Sequence, residues 1–265
     1  MSDKQFRRNS YDGIADLYDS ARPSYPEALF DDIASYARLH EDARILEVGC
    51  GTGQATTPMA RRGYAIDTVE LGAQLAAIAR EKLSAFPKVS VICADFETLS
   101  LPGETYDLLL SATAFHWIDP AIGFQKARDL LKPSGALALF WHRPALTDLG
   151  RPYLEPLQQV YERIAPELAR DFSPPPRPEE VRTEYQELIT ADGLFGDLAI
   201  RKHYVNKEYS AADYASLLGT FSDHRSLDAG KRERLLAGIE TLINKKFGGK
   251  IIRETVALLY LARRL

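Results

Sequence analysis

The residues with the clearest capacity for chemistry form the run ILEVGCGTGQ at positions 45–54. Gly49, Gly51 and Gly53 stand at alternate positions, directly after an apolar stretch that contains one acid, Glu47. Glycine lets the backbone approach a ligand closely and point its N–H groups at it. A carboxylate inside an apolar strand is costly unless it is paired. Glu47 therefore belongs either to a buried structural pair or to a ligand site.

The spacing of the glycines argues against two common nucleotide loops. The dinucleotide fingerprint is G-x-G-x-x-G, but Gln54 follows the first pair of glycines at the third position and Thr56 follows the second pair. The phosphate loop G-x-x-x-x-G-K-[ST] is also absent from the sequence. A nicotinamide-dependent oxidoreductase is therefore an alternative that the spacing disfavours.

The elements that would position this loop follow an alternating pattern of strands and helices. Such alternation predicts βαβ units, a parallel sheet and helices on both faces. Ligands of these sheets lie beyond the carboxyl ends of the strands. We predict an α/β fold with a doubly wound, mostly parallel, seven-stranded Rossmann-like sheet and a helical cap. The predicted strands lie within 43–49, 64–71, 89–96, 106–114, 135–141, 197–210 and 250–265, and helices within 54–63, 73–86 and 121–133.

A change of pattern after residue 145 predicts the division of the chain. Long amphipathic segments, separated by the proline-rich stretch DFSPPPRP at 171–178, indicate helices on either side of it, the second within 177–193. The predicted parts are a lid helix region (1–30), a Rossmann-like core (31–145), helical cap inserts around the sixth strand (146–250) and the final strand of the sheet (251–265).

Composition restricts the partners and the compartment. The 265 residues carry a formal net charge of −4 and only two cysteines. A nucleic-acid-binding surface usually leaves a basic footprint, and two thiols make no disulfide framework. No apolar run reaches the roughly 18 residues of a membrane span. We expect a cytoplasmic monomer or dimer that binds neither nucleic acid nor membrane.

The E-x-G-x-G-x-G pattern resembles motif I of the class I methyltransferases that use S-adenosylmethionine. Glu70 closes the second predicted strand 17 residues after Gly53, at a distance typical of this family. The similarity continues through residues 43–141, at CADFE (93–97), SATAFHWID (111–119) and LKPSGALALF (131–140). Together, these motifs in the family's order predict a methyltransferase.

The resemblance implies S-adenosylmethionine as cofactor, with S-adenosylhomocysteine as product. Glu47 would orient the methionine end, Glu70 would accept hydrogen bonds from the ribose hydroxyls, and Asp95 would accept from the adenine amino group. Glu70 and Asp95 could instead be surface acids at strand ends, and Phe96 a core residue. The implied cofactor-binding set is Glu47, Gly49, Cys50, Gly51, Thr52, Gly53, Glu70, Leu71, Asp95, Phe96, Ser111, Tyr18 and Arg22. No metal-ligand spacing surrounds Cys50 or Cys93, so no metal is expected.

The segment YDGIADLYDSARPSYP at 11–26 resembles the opening helix of small-molecule methyltransferases. Such a helix implies a lid over the cofactor, with Tyr18 near the sulfonium and Arg22 paired with the cofactor's carboxylate. The alternative is a helix that only packs on the sheet.

Two histidines are candidate catalytic residues. His116, in AFHWID, follows the fourth strand and could be a general base or a packed structural residue, and His142 follows the fifth strand.

The layout resembles the type 11, trans-aconitate methyltransferase-like branch, which implies a small acceptor with a carboxylate or a hydroxyl. A carboxylate is already ionised at neutral pH and needs no base; cations for it are available at His142, Arg143, His224 and Arg225. A non-catalytic S-adenosylmethionine-binding protein is the other alternative.

Overall fold

The computed structural model describes residues 11–265, and these form two compact units. The first unit contains the described residues up to Arg22, together with Arg143–Val181 and Tyr204–Val256. The second contains Pro23–His142, Arg182–His203 and Ala257–Leu265. The predicted boundaries at residues 30, 145 and 250 stay predictions, and residues 1–10 of the predicted lid region lie outside the described residues.

A seven-stranded sheet carries the fold, in the order β3-β2-β1-β4-β5-β7-β6. The pairs β1–β2, β2–β3, β1–β4 and β4–β5 are parallel. Strand order therefore reverses between β1 and β4, and the α/β, mostly parallel sheet predicted from the sequence is confirmed. The strands are β1 (Arg44–Val48), β2 (Ala65–Glu70), β3 (Val89–Cys93), β4 (Tyr106–Ala112), β5 (Leu131–Pro144), β6 (Phe195–Ser210) and β7 (Lys250–Arg264).

The central strands are apolar because both of their faces are covered. Ile45 and Leu46 of β1 are fully buried, and so are the residues of β4 beside them. Parallel strands buried on both faces read as continuous apolar runs rather than as alternating ones. Glu47 breaks such a run, paired in register with Thr68 on one side and Leu110 on the other. The sheet therefore places one carboxylate at its centre.

Eleven α-helices lie within residues 11–265. None of these helices has both the length and the apolar character needed to span a membrane. Three 3-10 turns accompany them, at Asp12–Ile14, Phe115–Trp117 and Pro178–Glu180. The α-helices are α1 (Ala15–Ala21), α2 (Glu27–Ala37), α3 (Thr56–Arg61), α4 (Ala73–Leu83), α5 (Pro120–Leu130), α6 (Arg151–Ile164), α7 (Pro166–Ala169), α8 (Gln186–Thr190), α9 (Ala211–Gly219), α10 (Ser222–Arg225) and α11 (Ala229–Lys246).

The predicted boundaries on either side of Pro133 are wrong, and two more differ: β5 extends to Pro144 instead of 141, and β6 begins at Phe195 instead of 197. Helix α5 ends at Leu130, not at Pro133, and β5 begins at Leu131 instead of residue 135. Leu131 is already extended, with φ −75° and ψ 142°. Lys132, which directly precedes Pro133, is also disfavoured in the helical region, so the helix has to end before the proline. The segment 177–193, predicted to be helical, contains only a 3-10 turn and the short helix α8.

The helices of the first unit pack around their own apolar core. Helix α11 contacts both α6 and α9, and each of α9 and α11 begins at a side-chain cap. Ser210 accepts a hydrogen bond from the Asp213 N–H (3.1 Å), and Asp228 accepts one from the Lys231 N–H (2.8 Å). Such caps satisfy backbone donors that have no partner inside the helix. The buried core of this unit includes Val160, Leu217, Leu218, Leu235, Ile239, Ile243 and Ile251.

Candidate functional site

The loop between β1 and α3 lies where the strand order reverses, and glycine is required in it. Gly49, Gly51 and Gly53 have φ values of 74°, 58° and 91°. Residues other than glycine rarely adopt this region of backbone conformation. At Gly49, an added Cβ atom would come within 2.3 Å of the Ala114 Cβ atom. The glycines thus allow both the turn itself and the close approach of the segment after β4.

Glu47 is a buried carboxylate without a hydrogen-bond partner in the part of the chain that the structure describes. Its side chain is 0% exposed, and neither carboxylate oxygen has a hydrogen-bond partner among residues 11–265. Burial raises the pKa of Glu47 to about 7; the nearby Thr56 hydroxyl opposes this shift and the charge of Glu70 adds to it. The Thr56 contact falls short of a well-formed hydrogen bond, since that hydroxyl is itself unpartnered. The described residues supply no second member for a structural pair, so the carboxylate is available to a cationic ligand.

Glu70, the last residue of β2, has a carboxylate that backbone groups hold in place. One oxygen accepts a hydrogen bond from the Gly51 N–H and the other from the Gly72 N–H, both at 2.8 Å. These two hydrogen bonds fix the orientation of the carboxylate at the end of β2. The bond to Gly51 also ties the glycine loop to the neighbouring strand.

The residues after β3 lie at the same edge of the sheet. Asp95 is partly buried and accepts a hydrogen bond from the Glu97 N–H at 3.0 Å. Phe96 is buried, and the Lys126 ammonium lies 5.1 Å from its ring centroid. Leu71, after β2, is partly buried. The adenine contacts predicted for these residues stay predictions.

Three further members of the predicted set are buried and occupied by protein contacts. The Ser111 hydroxyl donates to the Val48 carbonyl at 2.7 Å, and Thr52 is fully buried. Cys50 packs in a small apolar cluster with residues of α4. Burial and the nearby Glu47 and Glu70 raise the pKa of its thiol well above the usual value. The side chain of Cys50 is therefore a packing residue rather than a nucleophile.

His116 lies in the 3-10 turn after β4 and is oriented by an indole. The Trp141 Nε1–H donates to His116 Nδ1 at 3.0 Å, and Trp141 stacks on Tyr185 with ring centroids 4.2 Å apart. A neutral imidazole that accepts at Nδ1 carries its hydrogen on Nε2. In this tautomer, Nε2 donates a hydrogen bond and cannot remove a proton. The general-base role of His116 stays a prediction, and it requires this bond to be broken.

His142 also lies in an aromatic environment. Its ring stacks on Tyr25, with centroids 4.4 Å apart and an interplanar angle of 14°. The Tyr25 hydroxyl is 2.6 Å from the Thr113 hydroxyl, which belongs to the segment that follows β4. His142 is therefore linked through Tyr25 to the segment that carries His116, while its catalytic role stays a prediction.

Comparison with known proteins indicates the family to which the region around the glycine loop is similar. A family model described as a methyltransferase domain matches residues 46–139, the range from β1 to β5. Residues 46–139 are therefore a methyltransferase domain, and the similarities support the class I S-adenosylmethionine-dependent methyltransferase superfamily. Among residues 11–265 of this methyltransferase, no cluster of histidine, cysteine and acidic residues could hold a metal ion.

Related proteins extend the likeness beyond the domain. An uncharacterised methyltransferase of Schizosaccharomyces pombe is 26% identical over 231 residues, which are 87% of this chain and 85% of that protein. A malonyl-[acyl-carrier protein] O-methyltransferase of Ilyobacter polytropus is 27% identical over 226 residues, 82% of this chain and 78% of that protein. A solved structure provisionally assigned as a type II methyltransferase of Anaeromyxobacter dehalogenans shares the fold. Its TM-score is 0.64 at 22% identity, with 91% of this chain and 97% of that chain covered.

Tyr18 and Arg22 of the methyltransferase belong to the first unit, and Arg22 is engaged there. Its Nη2 group donates to the Thr220 carbonyl at 2.9 Å, and its guanidinium lies 5.0 Å from the ring centroids of both Tyr18 and Phe221. The predicted lid contacts of Tyr18 and Arg22 with the cofactor stay predictions.

Sequence reasoning missed the residues that support the site. Thr56 beside Glu47, the backbone donor of Gly72 and the Trp141 partner of His116 were not among the predicted residues. Gly72 lies just after the end of β2, and Thr56 is the first residue of the helix that follows the glycine loop, so their positions after a strand and after the loop could have indicated them. No local signal connects Trp141 or Tyr185 to His116, because the three come from separate segments.

Proposed function

We propose that the enzyme binds S-adenosylmethionine at the glycine loop and transfers its methyl group to a small organic acceptor. The observation that supports this most directly is the unpartnered carboxylate of Glu47, buried at the centre of the sheet with a pKa of about 7. A buried charge without a partner is costly, and the cofactor's ammonium group would compensate it.

The remaining residues suit the other parts of the cofactor. The loop N–H groups after β1 would receive the carboxylate of the methionine end. Glu70, already oriented by two backbone N–H groups, would accept from the ribose hydroxyls. Asp95 would accept from the adenine amino group, with Phe96 and Leu71 against the ring.

The acceptor that we propose is a carboxylate. When bound, S-adenosylmethionine would supply a methyl group on a sulfonium. A carboxylate oxygen of the acceptor would form the new C–O bond as the C–S bond breaks, and S-adenosylhomocysteine would leave as a thioether with the electron pair. No proton has to be removed from a carboxylate, which agrees with the donor tautomer of His116. The I. polytropus relative is described as an O-methyltransferase of a malonyl group, whose ionisable group is a carboxylate. The protein's part is alignment and exclusion of water.

Calorimetric titration with S-adenosylhomocysteine tests the cofactor. We expect binding by the wild type and a loss of about ten- to a hundred-fold in Glu70→Ala, since one charge-assisted hydrogen-bonding group is removed. Glu81→Ala is the matched control, because Glu81 is an exposed acid on α4. Preference for NAD over S-adenosylhomocysteine in the wild type would contradict the proposal and revive the oxidoreductase alternative.

Replacement of His116 separates the acceptor classes. With a carboxylate acceptor, His116→Ala should keep kcat within about threefold, because no general base contributes its usual 10²–10⁴-fold. A hydroxyl acceptor would make the same variant lose that factor. Only slow consumption of the methyl donor with every acceptor tried would favour the non-catalytic binding protein instead.

A further inference from the structure

A cavity of about 370 Å³ lies entirely within the first unit. This volume falls within the range of small-molecule sites, ~300–1,000 Å³. Most of its wall is apolar and comes from α6, from α7 and the residues after it, from α9, and from the start of β7. The apolar lining includes Leu154, Leu157, Leu168, Phe172, Leu218 and Ile251. A ligand in this cavity would therefore bury an apolar body.

One cation interrupts the apolar lining. Arg253, on β7, is partly buried, and its guanidinium lies 5.3 Å from the ring centroid of Phe221. Burial lowers the pKa of Arg253, and the phenols of Tyr214 and Tyr209 oppose this shift. No carboxylate between residues 11 and 265 forms an ion pair with Arg253. A partly desolvated guanidinium without a carboxylate partner favours an anionic ligand.

The two acids that line the cavity are already engaged. Glu254 follows Arg253 directly in the strand, where successive side chains point to opposite faces. Its oxygens accept from the N–H groups of Thr147 (2.9 Å) and Gly150 (2.8 Å). Asp223 pairs with His224 Nδ1 at 2.7 Å, and its side chain is mostly exposed. Neither acid therefore neutralises Arg253.

A hydrogen-bonded series provides a second polar contact in the cavity wall. Asp223 accepts from His224 Nδ1, and His224 Nε2 lies 2.8 Å from the Tyr161 hydroxyl. With the hydrogen of His224 on Nδ1, Tyr161 donates to Nε2 and its oxygen remains an acceptor. Arg253 therefore supplies a cation and Tyr161 a hydroxyl acceptor in a mostly apolar wall, whose acids Asp223 and Glu254 are engaged by other groups.

We infer that this cavity binds an organic acid with an apolar body, with the carboxylate paired to Arg253 and the body against the leucines of α6. The identity of this acid as the methyl acceptor rests on the proposed function, but its binding does not. A medium-chain fatty acid represents the class, and octanoate is a suitable probe.

Calorimetric titration of the wild type with octanoate, octan-1-ol and acetate tests the inference. Octanoate should bind about ten- to a hundred-fold more tightly than octan-1-ol, because only the acid pairs with the guanidinium. Acetate should bind more weakly than octanoate, since it lacks the apolar body. Equal affinity for octanoate and octan-1-ol would overturn the inference, and so would equal affinity for octanoate and acetate.

Three variants test whether the bound organic acid pairs with Arg253. Arg253→Gln should reduce octanoate affinity to that of octan-1-ol, and Arg253→Lys should retain part of the difference. Arg163→Gln removes an exposed cation of α6 that does not line the cavity, and should change nothing. Unchanged octanoate binding by a folded Arg253→Gln would overturn the inference. If that variant does not fold, the comparison of octanoate with octan-1-ol in the wild type still decides the question.

A titration with S-adenosylhomocysteine on the same sample separates the two proposals. Binding of S-adenosylhomocysteine without octanoate would overturn only the cavity assignment. Binding of octanoate without S-adenosylhomocysteine would support the cavity and contradict the proposed function. With both bound, the appearance of methyl octanoate on addition of S-adenosylmethionine would identify such acids as acceptors.

Discussion

Two glutamates, one in each unit, are both buried but differ in their hydrogen bonding and in the direction of their pKa shifts. Glu47 is 0% exposed and has no hydrogen-bond partner between residues 11 and 265, whereas Glu254 is 4% exposed and has several. Glu254 accepts from the backbone N–H groups of Thr147 and Gly150 and from the hydroxyls of Thr147 and Tyr204.

Their pKa values move in opposite directions for this reason. Burial acts to raise the pKa of both carboxyl groups. At Glu254, the hydrogen bonds from Thr147, Tyr204 and Gly150 outweigh burial and lower the pKa. At Glu47, burial dominates and the pKa rises to about 7. Burial alone therefore does not determine the direction in which the pKa of a carboxyl group moves; the number of hydrogen-bond donors around it does.

The largest effect on stability is expected from replacing Glu254, because the groups that donate hydrogen bonds to it then lose an ionic acceptor. Glu254→Gln should lower the free energy of unfolding by about 3–4 kcal/mol, because an ionic acceptor is lost and buried N–H groups lose a partner. Urea denaturation measures the change, with the exposed Glu233→Gln as control. The folded fraction should bind S-adenosylhomocysteine as the wild type does. A loss below about 1 kcal/mol would mean that the hydrogen bonds around Glu254 contribute little.

The same substitution at Glu47 should act in the opposite sense on stability. A rise of the pKa from 4.5 to about 7 corresponds to roughly 3 kcal/mol of destabilisation at alkaline pH. Glu47→Gln at pH 8 should therefore stabilise the fold by about 1–3 kcal/mol, since the buried amide retains part of the cost. Affinity for S-adenosylhomocysteine should fall about ten- to a hundred-fold. Stabilisation with unchanged affinity would show that Glu47 does not hold the ammonium group.

The pH dependence of the two carboxylates has opposite signs. The folded state raises the pKa of Glu47, so its stabilising contribution is complete below pH 4.5 and is lost as the pH rises through about 7. The folded state lowers the pKa of Glu254, so its contribution is present above the ordinary carboxyl range and is lost on acidification. Unfolding curves between pH 4 and pH 8 for the wild type and both Gln variants measure this. If the unfolding free energies of the wild type and of Glu47→Gln changed with pH in parallel, Glu47 would not be the source of the stability loss at rising pH.

The smallest expected effect comes from Thr56, whose hydroxyl opposes the rise in the pKa of Glu47. Thr56→Val should move that pKa higher, and with it the midpoint of the pH profile of S-adenosylhomocysteine affinity. Thr57→Val is the matched control, because the Thr57 hydroxyl donates to the Gly53 carbonyl instead. Calorimetry at several pH values measures the midpoint. A shift in the control alone would assign the effect to the helix start rather than to Glu47.

The sequence allowed prediction of the parts that depend on local pattern. Alternating apolar runs and glycines at fixed spacing indicated the seven strands, the loop at 49–53 and the acid Glu70, because each is determined by neighbouring residues. The start of β5 was missed because a helix-like pattern continued as far as Pro133.

Contacts between distant segments could not be predicted in the same way. The donors that surround Glu254 lie more than a hundred residues earlier in the chain or on another strand, and nothing near Glu254 in sequence indicates them. The pairing of Trp141 with His116 and the cavity around Arg253 likewise arise only when separate segments fold together. A pattern can thus indicate that an acid is buried, but not whether it has a partner there.

The aromatic contacts of His116 also give the protein an optical reporter. The chain has only two tryptophans; Trp117 lies 4.6 Å from the His116 ring centroid, and Trp141 donates to its Nδ1. All of the indole emission therefore originates next to one imidazole. Protonation or displacement of His116 should change the fluorescence intensity directly, so that an unlabelled sample reports on that ring during titration or turnover.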